Sequence, residues 1–140
     1  VACLKRTDVL INCILWDNTP ATIRTVSGSV PGITYSDVQG GWPGMDNLSP
    51  DPLFADPGVW SNAGTPADPS DDVWVPADCH LLSTKGRFWP DFSWWFPDKK
   101  TSPCIDAGDP VAPVGDEPTP NGDRVNLGAY GGTSQASLSK

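Results

Sequence analysis

The segment Asp8-Val-Leu-Ile-Asn-Cys-Ile-Leu-Trp16 is rich in aliphatic and β-branched residues and ends in the turn signal Asp17-Asn-Thr-Pro20. A short apolar run of this composition, closed by turn residues, predicts a β-strand. Two further segments, Ala21–Val26 and Ile33–Val38, have a similar composition and are separated by glycine, serine and proline. The first third of the chain therefore predicts three short strands in close succession.

These three strands fit one coil of a parallel β-helix, with each strand on a different face of the coil. They also fit a small antiparallel meander, and periodicity alone does not separate the two. The 14 glycines and 16 prolines among 140 residues disfavour long helices, because proline breaks a helix and glycine weakens it. The composition therefore predicts an all-β protein.

The length of the chain fits a single domain, 1–140, which divides by composition into four parts. These parts are the strands of residues 1–41, an Asp/Pro-rich loop region at 42–77, a Trp-rich insertion at 78–100 and a tail at 101–140. The Asp-Pro steps of the loop region favour extended or turn conformations before each proline. We expect little regular structure between residues 42 and 77.

The charge of the chain limits its partners. The net charge is −8, and all but Glu117 of the 17 acidic residues are aspartates, which are typical of turns, caps and cation-binding loops. The lysines and arginines form no basic stripe, so nucleic acid is not an expected partner. The negative field also disfavours an acidic polysaccharide unless a cation intervenes. No segment approaches the length of an apolar membrane span, so no membrane partner is expected.

Four cysteines, Cys3, Cys13, Cys79 and Cys104, form no Cys-x-x-Cys motif, which disfavours a zinc site. An even number of cysteines favours an oxidising compartment and permits three pairings. Proximity in sequence favours the disulfides Cys3–Cys13 and Cys79–Cys104. The alternative is that Cys13 is a buried free thiol, since cysteine behaves as a small apolar residue in a strand.

Aromatic residues are concentrated in one segment. Of the seven tryptophans, Trp89, Trp94 and Trp95 lie together, interleaved with phenylalanines and with Asp91. Sugar rings present flat C–H faces, so exposed indoles beside carboxylates suit glycan binding. The candidate glycan-binding residues are Trp42, Trp89, Asp91, Trp94 and Trp95. The alternative is that these large side chains form the core of a domain poor in leucine and isoleucine.

Catalytic motifs are scarce. His80 is the only histidine, and no Gly-x-Ser-x-Gly motif is present, so a serine hydrolase is not indicated. A pair of aspartates could serve a glycosidase, and Asp91 and Asp98, which flank the Trp-rich segment, are the candidate pair. His80, between Cys79 and Leu81, is interpreted as structural.

A cation site is a further candidate, and calcium is the possible cofactor. Asp68, Asp71 and Asp72 lie close together in a proline-rich loop, and calcium takes six to eight oxygen ligands from such loops. Their spacing does not match an EF-hand. The alternative is that they are solvated carboxylates of turns.

Several motifs together carry a resemblance to a known family. They are Ile11-Asn-Cys-Ile-Leu-Trp-Asp-Asn18, Ile33-Thr-Tyr-Ser-Asp-Val-Gln-Gly-Gly41, Asn47-Leu-Ser-Pro-Asp-Pro-Leu-Phe-Ala-Asp56, Ser102-Pro-Cys-Ile-Asp-Ala-Gly-Asp-Pro110 and Asn126-Leu-Gly-Ala-Tyr-Gly-Gly132. The chain resembles the C-terminal region of secreted right-handed parallel β-helix proteins of environmental, planctomycete-like bacteria. Their fold is related to that of pectate lyases, and the tail motif resembles a choice-of-anchor C-terminal region.

The resemblance implies the terminal coil or coils of a right-handed parallel β-helix with a loop-rich, Trp-rich C-terminal cap, in a secreted or cell-surface protein. The chain then looks like a C-terminal portion of something longer, or like a short product of an environmental gene. The expected function is a glycan-recognition or capping module that is not catalytic on its own, with a polysaccharide or oligosaccharide as partner. One alternative is a small glycoside hydrolase or polysaccharide lyase that uses aspartates. A second is an adhesin-like structural module that self-associates through open strand edges.

The tail is expected to stabilise the strands. Its apolar residues are Ile105, Val125, Leu127 and Tyr130, and glycines between them permit close backbone approach. We predict that they pack over Ile11, Cys13 and Leu15 at the open end of the strands, with the Trp-rich segment closing one side.

Overall fold

The computed structural model describes residues 2–4, 8–18, 21–26, 30–75 and 78–139. In these ranges the protein is all-β, as predicted, with one single-turn 3-10 helix at Pro90–Phe92 and no α-helix. The strands are β1 (Ala2–Leu4), β2 (Val9–Ile11), β3 (Ile14–Leu15), β4 (Arg24–Val26), β5 (Gly32–Thr34), β6 (Asp37–Val38), β7 (Phe54–Asp56), β8 (Val59–Ser61), β9 (Val73–Val75), β10 (Asp78–Leu81), β11 (Arg87–Trp89) and β12 (Trp94–Phe96). No helix in the described ranges is long and apolar enough to cross a membrane.

The first six strands form a stack of parallel pairs. Strand β1 pairs with β4, β2 with β5, and β3 with β6, so each strand pairs with the one three places later in the chain. An additional parallel bridge joins Asp37 to Leu48. We refer to residues 2–48 as the strand stack. This region therefore contains two stacked levels of three strands, where the sequence predicted three strands in a single level.

Two left-handed residues explain this difference. Asn12 has φ = 59° and Tyr35 has φ = 48°, so two of the three predicted strands, Asp8–Trp16 and Ile33–Val38, each bend and become two short strands. The bends lie one above the other, because the backbone N–H of Asn12 donates to the carbonyl oxygen of Tyr35 at 3.1 Å. Asparagine tolerates this conformation well, whereas tyrosine adopts it less often.

Residues 42–77 are more regular than the sequence predicted. Strands β8 and β9 form an antiparallel pair in which Trp60 lies directly opposite Trp74. Strand β7 pairs antiparallel with β10. The aromatic and β-branched residues of Val59-Trp-Ser61 and Val73-Trp-Val75 favour this pairing, since such side chains pack well across strands.

Strands β11 and β12 form an antiparallel hairpin with two different faces. In its register Phe88 lies opposite Trp95, and Trp89 lies opposite Trp94. Because successive side chains of a strand point to opposite faces, Phe88 and Trp95 turn inward, while Trp89 and Trp94 turn outward and are exposed. The Trp-rich segment therefore supplies both core and surface, which the sequence left as alternatives.

The tail contains no strand between residues 101 and 139, yet it is extensively buried. Cys104, Ile105 and Leu127 form one apolar cluster with Leu81, and Ile14 packs against it. A second cluster, within the strand stack, consists of Leu15, Ile33 and Val38.

The tail packs on the strands as predicted in outline, but on different residues. Gly128 donates its N–H to the carbonyl oxygen of Asn12 at 3.0 Å, and Ile14 packs on the tail cluster. Ile11 is exposed and Leu15 belongs to the other cluster, so the predicted packing of the tail over these two residues is wrong, and Ile14 is the residue of this segment that packs on the tail cluster. The bend at Asn12 is the reason, because it changes which side chains face the tail.

The predicted disulfides do not form. Cys13, Cys79 and Cys104 are free thiols, which excludes the Cys79–Cys104 bond and leaves Cys13 unbonded to Cys3, whose side chain lies outside the described residues. Cys104 is fully buried in the tail cluster and donates its S–H to Asp37 Oδ2 at 3.0 Å. Burial raises the pKa of the Cys104 thiol, and the neighbouring Asp37 raises it further.

Candidate functional site

A cleft of about 400 Å³ opens beside the outward face of the β11–β12 hairpin. Strand β7, the start of β10, β11, the short 3-10 helix and the tail all contribute to it. We call it the Trp89 cleft, and its lining residues are Ala55, Asp56, Asp78, Arg87, Trp89, Pro90, Asp91 and Tyr130. It combines two aromatic rings with three carboxylates and one guanidinium group.

Local sequence explains how β11 supplies two of these groups. Arg87 and Trp89 are two residues apart on one strand, so their side chains share a face. The guanidinium carbon of Arg87 lies 4.6 Å from the centroid of the Trp89 ring, which is a cation–π distance. The 3-10 helix begins with Pro90 directly after β11 and places Asp91 at the rim of the same cleft.

Arg87 is buried, and its guanidinium group already pairs with two carboxylates. Its Nη1 lies 2.8 Å from Asp78 Oδ2, and its Nε lies 3.4 Å from Asp98 Oδ2. Two further carboxylates of the cleft, Asp56 and Asp91, are exposed. The lining therefore carries three carboxylates against one arginine, and its net charge is negative.

His80 does not line the cleft, but it contacts two of the residues that do. It is 1% exposed, and its Nδ1 lies 2.5 Å from Asp78 Oδ1. Its ring stacks on Tyr130, with the centroids 3.5 Å apart and the planes 11° apart. His80 therefore fixes the position of one carboxylate and one aromatic ring of the lining, in agreement with its structural interpretation.

The aromatic surface continues outside the cleft. Trp89, Phe92, Trp94 and Phe96 are all exposed. Phe96 meets Trp89 edge to face at 5.8 Å and Phe92 at 5.6 Å. Such edge-to-face contacts are a favoured arrangement of aromatic rings, so this face forms an aromatic platform.

Two of the predicted glycan-binding tryptophans have structural contacts. Trp42 is half-buried against the cluster of Leu15, Ile33 and Val38, and its indole N–H points to the carbonyl oxygen of Pro31 at 3.3 Å. Trp95 lies on the inner face of its hairpin, with its N–H donated to Ala136 O at 2.9 Å. Among the five candidates, Trp89 and Asp91 lie in the cleft and Trp94 lies on the platform beside it.

The predicted catalytic pair is not brought into one cleft. Asp91 lines the Trp89 cleft, whereas Asp98 lines a separate depression with Lys99 and Lys100. Asp98 accepts the backbone N–H of Ser83 at 3.0 Å and pairs with Arg87. Its role is to hold the base of the hairpin.

The predicted calcium site is not formed either. Within the described residues, no group of three or more histidine, cysteine, aspartate or glutamate side chains could hold a metal ion. Asp68 accepts the backbone N–H and the hydroxyl of Ser70, and Asp71 accepts the hydroxyl of Thr65. The hydrogen bonds to Ser70 lower the pKa of Asp68. Asp68 and Asp71 are turn carboxylates, as the alternative interpretation had it.

The sequence analysis missed four of the charged and aromatic lining residues, namely Asp56, Asp78, Arg87 and Tyr130. Three of them come from segments that pairing and tail packing bring together, so no local pattern could join them. Arg87 is different, because it lies two residues before Trp89 in the sequence, and this spacing places two side chains on one face of a strand.

The chain matches no family model, and no curated protein or solved structure is significantly similar to it.

Proposed function

We propose that this protein is a glycan-recognition module, not catalytic on its own, that forms the end of a parallel β-helix in a secreted or cell-surface protein. The observation that carries the proposal is the position of the Trp89 indole beside the exposed carboxylates of Asp56 and Asp91 in one cleft. An indole stacks on the C–H face of a pyranose, while the carboxylates accept hydrogen bonds from its hydroxyl groups.

The charge of the cleft supports a neutral glycan over a uronate. A uronate-binding site needs a free cation, and Arg87 is the one cationic residue of this lining. Its guanidinium group already faces Asp78 and Asp98. Asp56 and Asp91 would repel an acidic sugar.

The strand stack supports the β-helix part of the proposal. Three successive parallel pairs, each between a strand and the one three places later, are the pairing pattern of stacked coils. Within the described residues the other edge of β1, β2 and β3 is unpaired. That edge is suited to continuing the stack, and a second copy would be the alternative occupant.

Affinity electrophoresis tests the proposal. The protein is run through gels that contain either neutral polysaccharides (mixed-linkage β-glucan, xyloglucan, galactomannan) or uronates (polygalacturonate, alginate). We expect retardation by at least one neutral polysaccharide and none by the uronates. The variants Trp89→Ala and Asp91→Asn are expected to weaken binding about tenfold, the equivalent of about 1.4 kcal/mol.

The controls separate binding from folding. Asp123→Asn removes an exposed carboxylate outside the cleft and is expected to migrate like the wild type, and melting curves check that each variant is folded. Unchanged mobility of the wild type in every gel would remove the binding proposal. Release of reducing ends from any retarding polysaccharide would instead show that the module is an enzyme.

A further inference from the structure

A second cleft, of about 330 Å³, lies on the other side of β10 and shares no lining residue with the Trp89 cleft. Cys79 lines it, while the preceding residue of the same strand, Asp78, lines the Trp89 cleft, because adjacent side chains point to opposite faces. We call it the Trp60 cleft. Its main lining residues are Trp16, Asp17, Asn18, Phe54, Trp60 and Trp74.

The wall of this cleft is built by a direct cross-strand pair. Trp60 on β8 lies opposite Trp74 on β9, with the ring centroids 5.5 Å apart and the planes at 69°. The two residues nevertheless remain 54% and 38% exposed. Fixed indoles that keep this much apolar surface in a concave site are a typical feature of ligand pockets.

The polar end of the cleft is also held in place. Asp17 donates its backbone N–H to Gln39 Oε1 at 2.9 Å and accepts from Gln39 Nε2 at 3.1 Å. This double hydrogen bond joins the turn after β3 to the end of β6. Asn18 follows with an amide that can both donate and accept.

We propose that the Trp60 cleft is a second glycan-binding site, which takes a pyranose ring of a neutral glycan between the Trp60–Trp74 wall and the polar side chains of Asp17 and Asn18. The indoles match the C–H faces of the ring. The carboxylate and the amide together supply the acceptors and donors that hydroxyl groups need. A simple cation matches this lining less well. Asp17 is the single carboxylate of the lining, and the Asn18 amide group presents N–H donors, which cannot coordinate a cation.

This site does not depend on the Trp89 cleft, because the two have separate lining residues. A polysaccharide chain long enough to reach both clefts binds more tightly than a short oligosaccharide. Once one part of the chain is bound in the first cleft, the rest of the chain is held at a high effective concentration near the second. Short oligosaccharides would then bind at two positions on each protein molecule.

Titration calorimetry of the whole protein with short oligosaccharides tests the inference. The probes are the tetrasaccharides of β-1,4-linked glucose, mannose and xylose, with trigalacturonate and choline as charged comparisons. The variants are Trp60→Ala, Trp60→Phe and Asp17→Asn in the second cleft, and Trp89→Ala in the first. Val59→Ala is the matched control, since Val59 is exposed on the same strand but does not line the cleft.

We expect Trp60→Ala to abolish one of two binding events, and Asp17→Asn to weaken that event about tenfold. Trp60→Phe keeps an aromatic cross-strand pair, so its melting temperature is expected to be unchanged. It loses the indole, so its affinity for the oligosaccharide is expected to fall. This variant therefore tests the site even if Trp60→Ala unfolds the hairpin. Val59→Ala is expected to bind like the wild type.

The outcomes separate this inference from the proposed function. Binding that Trp89→Ala removes and that Trp60→Phe and Asp17→Asn leave intact would overturn the second site alone. Binding that depends on Trp60 and not on Trp89 would support the second site and remove the first. Binding of choline with no binding of any neutral sugar would overturn the assigned ligand class.

Discussion

The strand stack and the tail differ in their backbone pairing and in how completely they bury their apolar side chains. The stack has regular parallel pairs, yet it leaves apolar side chains such as Val9 and Ile11 exposed, Val9 by 63%. The tail has no strand between residues 101 and 139, yet it buries Cys104, Ile105 and Leu127 almost completely. The stack also buries Leu15, Ile33 and Val38, so both regions contribute to the core, but the tail does so without regular backbone pairing.

Side chains replace the missing strand ladder in the tail. Glu117 Oε1 accepts the backbone N–H groups of Asn126 and Gly132, both at 2.8 Å. The Asn126 side chain bonds to the backbone of Asp106 and of Ser137. Since a buried backbone group without a partner is costly, these side chains allow an irregular segment to be buried. Burial raises the pKa of Glu117, and its two N–H partners oppose that change.

The largest expected effect comes from the core of the tail. Leu127→Ala removes a side chain that is 1% exposed in the cluster with Leu81, Cys104 and Ile105. We expect the free energy of unfolding to fall by about 2–5 kcal/mol, as measured by urea denaturation. Val111→Ala, at a tail position that is 88% exposed, is the control and should change stability by less than about 0.5 kcal/mol. Similar small effects from both variants would contradict a core located in the tail.

A medium effect is expected at Asn12, where the stack and the tail meet. Its Oδ1 accepts the backbone N–H of Asp109 at 2.6 Å, and its own φ is 59°. Asn12→Gly loses the side-chain acceptor but suits the left-handed backbone, and should cost about 1 kcal/mol. Asn12→Ala loses the side-chain acceptor and also places alanine in a left-handed backbone conformation that it adopts poorly. It should therefore lower the free energy of unfolding by about 1–2 kcal/mol more than Asn12→Gly does.

Chemical denaturation of the two Asn12 variants measures this difference directly. Equal destabilisation by glycine and alanine would show that the backbone conformation at the bend contributes nothing. In that case the splitting of the predicted strand would need another explanation.

The smallest expected effect is a pH dependence in the stack. Asp37 is fully buried in β6, and burial raises its pKa, with Asp51 adding to the increase and the hydrogen bond from Cys104 opposing it. A carboxyl group whose pKa is raised on folding stabilises the fold below its ordinary pKa of about 3.9. That contribution is lost as the pH rises through the raised value.

Asp37→Asn removes this titration but keeps an oxygen that can accept from Cys104. We expect the stability of the variant relative to the wild type to increase from pH 3 upward and to level off above the raised pKa. Asp123→Asn, at an exposed position, should follow the wild type. Parallel pH profiles for the wild type and Asp37→Asn would show that the buried carboxyl group does not titrate differently in the folded state.

The sequence predicted the all-β class because composition and turn residues act locally. It did not predict the bends at Asn12 and Tyr35, since tyrosine adopts the left-handed conformation only when surrounding contacts require it. Strands β8 and β9 were missed for a related reason. Their exposed apolar residues lie among prolines and aspartates, and only the pairing of Trp60 with Trp74 makes them strands.

For the site, the sequence identified Trp89 and Asp91, because both belong to one short segment. It did not separate Trp94 from Trp95, although strand alternation places these neighbours on opposite faces. The partners Asp56, Asp78 and Tyr130 come from distant segments, and no local pattern joins such residues. The disulfide prediction failed because proximity in sequence does not ensure that two thiols face each other.

The Trp95 indole donates a hydrogen bond to Ala136 O, so the fluorescence of Trp95 reports whether the tail is in contact with the hairpin. Trp95 is half-buried against Phe88, whereas its neighbour Trp94 is exposed to water. Release of the chain end near Ala136 would hydrate the Trp95 ring and shift its emission to longer wavelength, while the emission of Trp94 would barely change. In a protein with seven tryptophans, the difference spectrum between the wild type and Trp95→Phe isolates that signal and follows the docking of the last residues onto the hairpin.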